Sequence, residues 1–406
     1  MLGSEANRAA RVAAFDSQRS TGKPAAPQHD RSSGPHRLHL ELHMSQFDEA
    51  SDTTRAQPPS GAHPAAPRLG ALVTGPSKAR FVRAAAVQIS PDFVNHDGTI
   101  NKVLDAVDEA AGQGAELIVF PETLVPYYPY FAHLQPPALQ RADHLRFMER
   151  ALVVPGPETE AVAARALARG AVIVLGVNEL EHGSVYNTQL VFDADGSLIL
   201  RRRKLMPTHH ERMVWGQGDA TGLKVVDSHV GRLGALACWE HYNPLFRYAL
   251  MAQHEEIHCS QFPGPLVGQV FADQAQIAVR MHAIEGACFV VNATGWLTDE
   301  QILAITPDRK LQGTLRGGTH TAIVSPEGDY LAAPLTAGEG IVIADLDISR
   351  IASRKRMMDS VGHYSRPELV SLAINGRAAS ASFPMPADDC CPGFPSPDMG
   401  PTLARQ

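Results

Sequence analysis

The pattern of apolar and polar positions predicts alternating strands and helices between about residue 80 and residue 375. Residues 116–120 form a short run that is almost wholly apolar, which is typical of a strand buried on both faces of a sheet. Residues 99–111 instead repeat apolar side chains at helical spacing, for example at Val103 and Val107. Because such strands and helices follow one another, we predict an α/β protein whose sheets are covered by helices.

The same reading gives bounds for the predicted elements. Strands are predicted at 83–89, 116–120, 172–177, 189–192, 198–202, 233–238, 257–261, 289–292 and 319–324. Helices are predicted at 99–111, 138–151, 159–169, 244–253 and 271–286. The helix at 244 has a clear start signal, since Asn243 is a good N-cap and Pro244 occupies the first helical position.

Both ends of the chain differ in composition from this body. Residues 1–78 are rich in Ala, Pro, Ser, Gly and Arg, and four prolines lie between Gln57 and Pro67. Such a stretch buries too little apolar surface to offset its chain entropy, and the proline-broken residues 376–406 are similar. We therefore predict a disordered N-terminal extension (1–78), one folded domain (79–375) and a disordered C-terminal tail (376–406). Met44 is an alternative start of the chain.

Composition and charge exclude several classes of protein. A hydrophobic content of 44% with 19% charged residues is typical of a soluble globular enzyme. The formal net charge of −7 provides no basic field for nucleic acid or anionic lipid. The chain has no apolar run of about 18 residues or more, so we predict no membrane span. Its five cysteines are odd in number and irregularly spaced, which indicates a reducing compartment, and we expect the cytoplasm.

Three reactive side chains lie at the ends of predicted strands. Glu122 and Lys204 each lie two residues after such a strand, and Cys238 is the last residue of another. Strand ends are where α/β sheets bind ligands. Taken singly each signal is weak, because a strand-end cysteine is more often a core residue and a strand-end charge is more often solvated. Together they suggest a thiol nucleophile, a base and a cation, since an ammonium and a carboxylate base supply thiolate from a thiol.

The sequence around these residues reads FPE at 120–122, RKLMPTHHER at 203–212 and LACWE at 236–240. These motifs, in the order glutamate, lysine, cysteine, resemble the nitrilase superfamily of carbon–nitrogen hydrolases. The resemblance extends from about Val82 to Leu372. CWE resembles the true nitrilase branch rather than the amidase branches, and residues 363–367 are similar to the C-terminal part of nitrilases. Cyanobacterial-type bacterial nitrilases are the most similar, although His209 replaces the tyrosine that precedes His210 in them.

The resemblance implies a fold and a reaction. The fold is an α-β-β-α sandwich whose catalytic residues are Glu122, Lys204 and Cys238, with Glu211 as a fourth member that orients Lys204. The reaction is hydrolysis of an organic nitrile to the carboxylic acid and ammonia through a thioimidate and a thioester, without a metal or an organic cofactor. An amidase or a cyanide-hydrating relative with the same triad is the alternative. A non-catalytic scaffold would lack a member of the triad, and none is missing.

The resemblance also implies partners and a pocket. The partner is a small-molecule nitrile, and a homo-oligomer is expected, with a dimer as building block and a spiral as its possible extension. Trp239, Tyr128 and His210 are expected to bind substrate. Tyr127, Tyr128 and Tyr130 suggest an apolar pocket that accepts an aryl or unsaturated aliphatic group, including dinitriles, while Trp215 is expected to serve packing.

A zinc-protease pattern, HEEIH at 254–258, competes with this interpretation. It binds metal only when both histidines share a helical face, whereas the helix from Pro244 is predicted to stop near Glu255 and a strand to begin at Ile257. No third ligand follows at the spacing of zinc proteases, so no metal site is predicted. Cys259 and Cys288 are expected to be core residues.

Overall fold

The computed structural model describes residues 80–376 and residue 378. The extension predicted at 1–78 and nearly all of the tail predicted at 376–406 lie outside these residues. The strands of the described part are β1 (Phe81–Gln88), β2 (Leu117–Val119), β3 (Val172–Glu181), β4 (Ser184–Phe192), β5 (Leu198–Arg203), β6 (Val226–Ser228), β7 (Gly231–Ala237), β8 (Ile257–Phe262), β9 (Phe289–Thr294), β10 (Ala322–Val324) and β11 (Gly340–Asp347). The α-helices are α1 (Gly98–Gly112), α2 (Phe131–Leu134), α3 (Arg141–Glu149), α4 (Pro157–Arg169), α5 (Pro244–Met251), α6 (Gln269–Gly286), α7 (Asp299–Ile305), α8 (Arg309–Thr314) and α9 (Ser349–Met357).

The strands form two mixed sheets. The first has the order β11-β1-β2-β3-β4-β5, and the second has the order β10-β9-β8-β7-β6. Parallel pairs lie in the centre of each sheet, β1 to β3 in the first and β7 to β9 in the second, and antiparallel strands flank them. All of these central strands were predicted from the sequence, and β2 was predicted from a nearly all-apolar run, as expected for a strand covered on both faces.

The two sheets pack face to face, and helices cover their outer faces. One buried cluster joins alternate residues of both sheets, including Val119 and Val174 of the first and Ala235 and Val291 of the second. The intervening residues of the first sheet, such as Ile118, pack against α1 and α4. Those of the second sheet pack against α5 and α6. Since each layer buries the alternate side chains of a strand, the architecture is the predicted α-β-β-α sandwich.

Several predicted bounds are corrected. The strand predicted at 319–324 begins only at Ala322, because Thr321 forms an isolated bridge with Leu335 instead of a ladder. The helix predicted at 138–151 is a 3-10 turn (Pro137–Leu139) followed by α3. Elements that the pattern did not predict are α2, α7, α8, α9, β6 and β11. Most of them are short, and β11 is defined by its antiparallel pairing with the distant β1.

Gly176 in β3 makes room for the backbone that carries Glu122. A Cβ on Gly176 would lie 2.3 Å from the carbonyl oxygen of Pro121 and 2.5 Å from the nitrogen of Thr123. Real Cβ atoms do not approach backbone so closely, so the turn after β2 depends on a glycine here. Thr123 itself has a φ of 42°, which is uncommon for a residue other than glycine.

We predict that Gly176→Ala destabilises the fold by about 1–3 kcal/mol, because the turn that carries Glu122 must move. The control is Gly112→Ala at the end of α1, where an added Cβ meets nothing within 4 Å. That change is expected to be neutral or to stabilise by about 0.4–1 kcal/mol. Urea denaturation of both variants measures the difference, and equal unfolding free energies would contradict the proposed role of Gly176.

Candidate active site

Cys238 lies at a sharp turn between β7 and a 3-10 helix (Cys238–Tyr242). Its φ is 51°, and its residue exposure is 3%. A non-glycine residue persists in this conformation only when its surroundings hold it there, and such strain is common at functional sites. The turn therefore presents a buried thiol in a conformation that the rest of the fold must support.

Glu240 connects the Cys238 turn to the segment that carries Lys204. Its Oε2 accepts from the Ala237 N–H at 2.9 Å, while Oε1 accepts from Leu205 N–H at 2.8 Å and from Arg202 Nη2 at 2.7 Å. The side chains of Arg202 and Glu240 are 0% and 1% exposed. Because β5 and β7 belong to different sheets, this buried ion pair sets how the lysine and the cysteine approach each other.

Lys204 lies between two carboxylates. Its Nζ is 2.8 Å from Glu122 Oε1 and 2.8 Å from Glu211 Oε2, and all three side chains are at most 2% exposed. Burial alone would lower the pKa of Lys204, but Glu122 and Glu211 raise it well above its usual value, so the amine carries a proton. The structure thus brings together the glutamate, the lysine and the fourth residue that the sequence singled out.

Glu122 has one paired oxygen and one unpaired oxygen. Oε1 accepts from Lys204 and, at 2.6 Å, from Asn187 Nδ2. Oε2 is buried and has no hydrogen-bond partner within the described part of the chain. Burial, opposed by Lys204, raises the pKa of Glu122 to about 7. A carboxyl group with this pKa and a free oxygen is suited to general base chemistry near neutral pH.

The thiol of Cys238 is protonated at rest. Burial, with the nearby Glu122, raises its pKa well above the usual value, although Lys204 and a hydrogen bond from the Trp239 backbone N–H act in the opposite direction. A buried thiol in this environment needs a base that removes its proton as it reacts. Glu122 and Lys204, whose charges influence the thiol, supply a base and a cation in the same site.

Tyr128 supports Glu211. The tyrosine hydroxyl donates to Glu211 Oε1 at 2.8 Å and lies 2.8 Å from His133 Nε2. Burial lowers the pKa of His133 to about 4, so the ring is neutral at pH 7. Because the hydroxyl already donates to Glu211, it accepts from His133 Nε2–H. The second oxygen of Glu211 also accepts from the Thr208 backbone N–H at 2.6 Å.

Two residues of the site were not assigned to it from the sequence. Asn187 lies in β4, where Thr188 and Gln189 follow it directly, so no local sequence signal singled it out. Trp215 was expected to serve packing, and it is buried, but its ring also lies 5.7 Å from Lys204 Nζ. Its indole N–H donates to Asn178 at 2.9 Å, which fixes the ring in place. A cation over an indole face is a favourable contact.

Two of the other predicted substrate contacts, Trp239 and His210, are exposed. Trp239 is 37% exposed and its ring stacks on that of Tyr242, while its backbone N–H donates a hydrogen bond to Cys238. His210 is exposed, and its ring centre is 5.5 Å from that of His133. Tyr127, Tyr128 and Tyr130 line one cavity of about 310 Å³ together with Phe93 and Phe131. Cys259 and Cys288 are buried, as predicted.

Comparison with known proteins gives the family. The family model described as carbon-nitrogen hydrolase matches residues 83–356. A nitrilase of Paraburkholderia phymatum is 64% identical over 309 residues, which cover 76% of this chain and 91% of the relative. An aliphatic nitrilase of Rhodococcus rhodochrous is 41% identical over 305 residues, 73% of this chain and 83% of the relative. A carbon-nitrogen hydrolase structure from Helicobacter pylori has the same fold, with a TM-score of 0.57 at 20% identity, covering 71% of this chain and 97% of that one.

We predict that Asn187→Leu moves the acid limb of the pH profile of kcat/KM upward by about one pH unit. The base must be ionised to act, so activity falls as the pH falls through the pKa of Glu122, which is about 7. Asn187 stabilises the ionised form, and its removal raises that pKa further.

The control is Thr188→Val, the next residue of β4, whose hydroxyl donates to Glu179 and not to Glu122. This variant is expected to keep the wild-type acid limb. An unchanged limb in Asn187→Leu would show that a group other than Glu122 determines it.

Proposed function

The chain belongs to the carbon-nitrogen hydrolase family, and we propose that it is a nitrilase, which converts an organic nitrile to the carboxylic acid and ammonia. The observation that carries the proposal is the buried group of Glu122, Lys204, Glu211 and Cys238, in which every charged atom except Glu122 Oε2 is paired. The name nitrilase belongs to the relatives that are 64% and 41% identical to this chain.

In the first step, Glu122 Oε2 accepts the proton of the Cys238 thiol as the sulfur attacks the nitrile carbon. A carbon–sulfur bond forms while one carbon–nitrogen π bond breaks, and negative charge develops on nitrogen. The Lys204 ammonium and the Trp239 backbone N–H stabilise this charge. The nitrogen then takes the proton from Glu122, which leaves a thioimidate and restores the carboxylate.

In the second step, Glu122 removes a proton from a water molecule that adds to the thioimidate carbon. The nitrogen takes the proton held by Glu122 and the proton of the added hydroxyl group, the carbon–nitrogen bond breaks as the carbonyl forms, ammonia leaves, and a thioester remains on Cys238. A second water molecule cleaves the carbon–sulfur bond and releases the acid and the thiol. Glu211 keeps Lys204 oriented and protonated throughout, because two carboxylates hold one ammonium. Nucleophile, proton transfer and charge stabilisation suffice for these steps.

The aromatic side chains of Tyr127, Tyr128 and Tyr130 support an aryl or unsaturated aliphatic nitrile as substrate, although Gln135 and Asp143 also line their cavity and the catalytic candidates do not. Tyr128 also donates to Glu211, so it links this cavity to the reacting groups. An amidase with the same triad is the alternative, and ammonia release from matched nitriles and amides distinguishes the two. We expect the enzyme in the cytoplasm, because the cysteines that the structure describes are free thiols.

We predict that Cys238→Ala abolishes ammonia and acid release from nitriles while the melting temperature stays near that of the wild type. The smaller side chain fits the same turn, but no nucleophile remains. Cys288→Ala, which removes another buried thiol, is the control and is expected to stay active. Residual turnover above a trace in the Cys238 variant would refute the assignment of the nucleophile, and faster hydrolysis of amides than of nitriles by the wild type would favour the amidase.

We also propose a homo-oligomer that forms through the outer face of α5 and α6. The sequence of α5 carries more apolar residues than one contact needs, and Leu245 is 58% exposed although Leu250 is fully buried. On α6, Ile277 is 68% and Met281 is 45% exposed. Exposed apolar side chains on two neighbouring helices are typical of an interface, and a second copy of the chain is the proposed occupant. Because α5 begins shortly after Cys238, a contact there reaches the nucleophile directly.

We predict that Ile277→Asp shifts the protein to a smaller species with reduced activity, because a charge in an apolar interface is costly. Light scattering over a dilution series, with activity assayed in parallel, measures both quantities. Leu167→Asp on α4, which is 61% exposed on the opposite outer layer, is the control and is expected to change neither. A fully active wild-type monomer at low concentration would contradict the proposal.

A further inference from the structure

A second buried polar network lies behind the nucleophile. His241 Nδ1 is 2.7 Å from the carbonyl oxygen of Cys238, and His241 Nε2 is 2.9 Å from His258 Nε2. His258 Nδ1 is 2.9 Å from Glu255 Oε2, and Glu255 Oε1 is 2.6 Å from His282 Nε2. The four side chains are at most 2% exposed. They come from the turn after Cys238, the loop before β8, β8 itself and α6.

The groups at the two ends of the network determine the direction of its hydrogen bonds. A carbonyl oxygen only accepts, so His241 donates through Nδ1, and its Nε2 must accept from His258 Nε2–H. At the other end, His282 Nδ1 is buried without a hydrogen-bond partner among the described residues. Since a buried unpaired N–H is costly, His282 keeps its proton on Nε2 and donates to Glu255.

These hydrogen-bond directions require one more proton than the network holds when, as is usual at neutral pH, its histidines are neutral and its carboxyl group is ionised. Three neutral histidines and an ionised Glu255 would leave two lone pairs facing each other at one of the short contacts. One proton between His258 Nδ1 and Glu255 Oε2 removes this conflict. Burial, with His282, lowers the pKa of His258 to about 4, and His258 and His282 lower the pKa of Glu255 although its burial acts in the opposite direction. Neither group alone therefore binds this proton at neutral pH, and the 2.9 Å contact between them is what requires it.

We propose that His241, His258, Glu255 and His282 are positioning residues that hold the backbone of Cys238 in its strained turn through an unbroken chain of donors containing one shared proton. The inference rests on the proposed role of Cys238 as nucleophile. The φ of 51° at Cys238 needs support from its surroundings, and the hydrogen bond from His241 fixes the carbonyl of that residue. Glu240 fixes the N–H of Ala237 on the other side of the nucleophile.

The same residues do not have the spacing of a metal site. Glu255, His258 and His282 offer ligand atoms within 4.8 Å of one another. However, the carboxylate–imidazole contacts are 2.6 and 2.9 Å, whereas two ligands of a tetrahedral zinc ion lie about 3.3 Å apart. The rings of His258 and His282 also stack, with centres 3.7 Å apart. Contacts this short are those of hydrogen bonds.

The test uses the different hydrogen-bonding abilities of two substitutions at Glu255. In Glu255→Gln, the amide group donates to His258 Nδ1 and accepts from His282, so the chain of donors is complete without the extra proton. In Glu255→Met, the hydrogen bonds to His258 and His282 are both lost, although the side chain has a similar volume. We expect Glu255→Gln to keep kcat within about threefold and Glu255→Met to lose about hundredfold in kcat with little change in KM.

A second readout is independent of nitrile turnover. This readout is the rate at which iodoacetamide alkylates Cys238, measured by peptide mass spectrometry. We expect the rate to be highest in the wild type, lower in Glu255→Gln and lowest in Glu255→Met. His241→Asn, whose amide can still donate to the Cys238 carbonyl, is expected to react faster than His241→Phe. His320→Phe is the control, since His320 is a buried histidine whose ring bonds Tyr330 instead.

Any one of four results would overturn the proposal. A folded Glu255→Met variant with wild-type kcat and alkylation rate would show that the network does not position Cys238. Equal losses in Glu255→Gln and Glu255→Met would show that the charge of Glu255 matters, and not the chain of donors. Stoichiometric zinc in the purified protein, with activity lost on chelation, would identify a metal site. If Glu255→Met does not fold, the comparison of His241→Asn with His241→Phe is the test. Equal rates of Cys238 alkylation in these two variants would overturn the proposal.

Discussion

A fully buried lysine is the constraint on which the rest of the site depends. An ammonium group removed from water is costly unless opposite charges and hydrogen bonds replace the solvent, and Lys204 has Glu122 and Glu211 at 2.8 Å. Those carboxylates need donors in turn, which Asn187, Tyr128 and the Thr208 backbone provide. Burial raises the pKa of Glu122 to about 7, and the negative charge of Glu211 adds to this effect although Lys204 opposes it.

Backbone strain gathers around the same residues. Three of the six non-glycine residues with a positive φ in the described part of the chain lie here. Thr123 follows Glu122, His209 precedes Glu211, and Cys238 is the proposed nucleophile. Each of these conformations costs of the order of 1–3 kcal/mol and persists only where surrounding contacts outweigh it. The compensating contacts are the space left by Gly176, the bonds of Glu240 and the carbonyl bond from His241. Stability and chemistry are therefore coupled at this site.

Two polar networks approach Cys238 from opposite sides and have different tasks. The network of Glu122, Lys204 and Glu211 contacts the reacting groups and keeps one oxygen free for proton transfer. The histidine network ends on a backbone carbonyl, so it acts on the position of the nucleophile and not on the substrate. Arg202 and Glu240 form a third buried connection, which ties the two sheets together beside the site.

The sequence by itself determined the elements with strong local patterns and the residues with reactive groups. Local patterns of apolar and polar residues predicted β2, β3, β7, β8 and β9, and the motifs around Glu122, Lys204 and Cys238 singled out the residues proposed to act in the buried site. The tertiary structure alone decided the rest. β11 is a strand because β1 pairs with it across most of the chain. His241, Glu255, His258 and His282 resemble unrelated core residues or a zinc pattern in the sequence, and they form one network only because α6 and β8 pack beside the turn of Cys238. Local patterns determine which face of an element is buried, whereas long-range packing determines which buried polar groups meet.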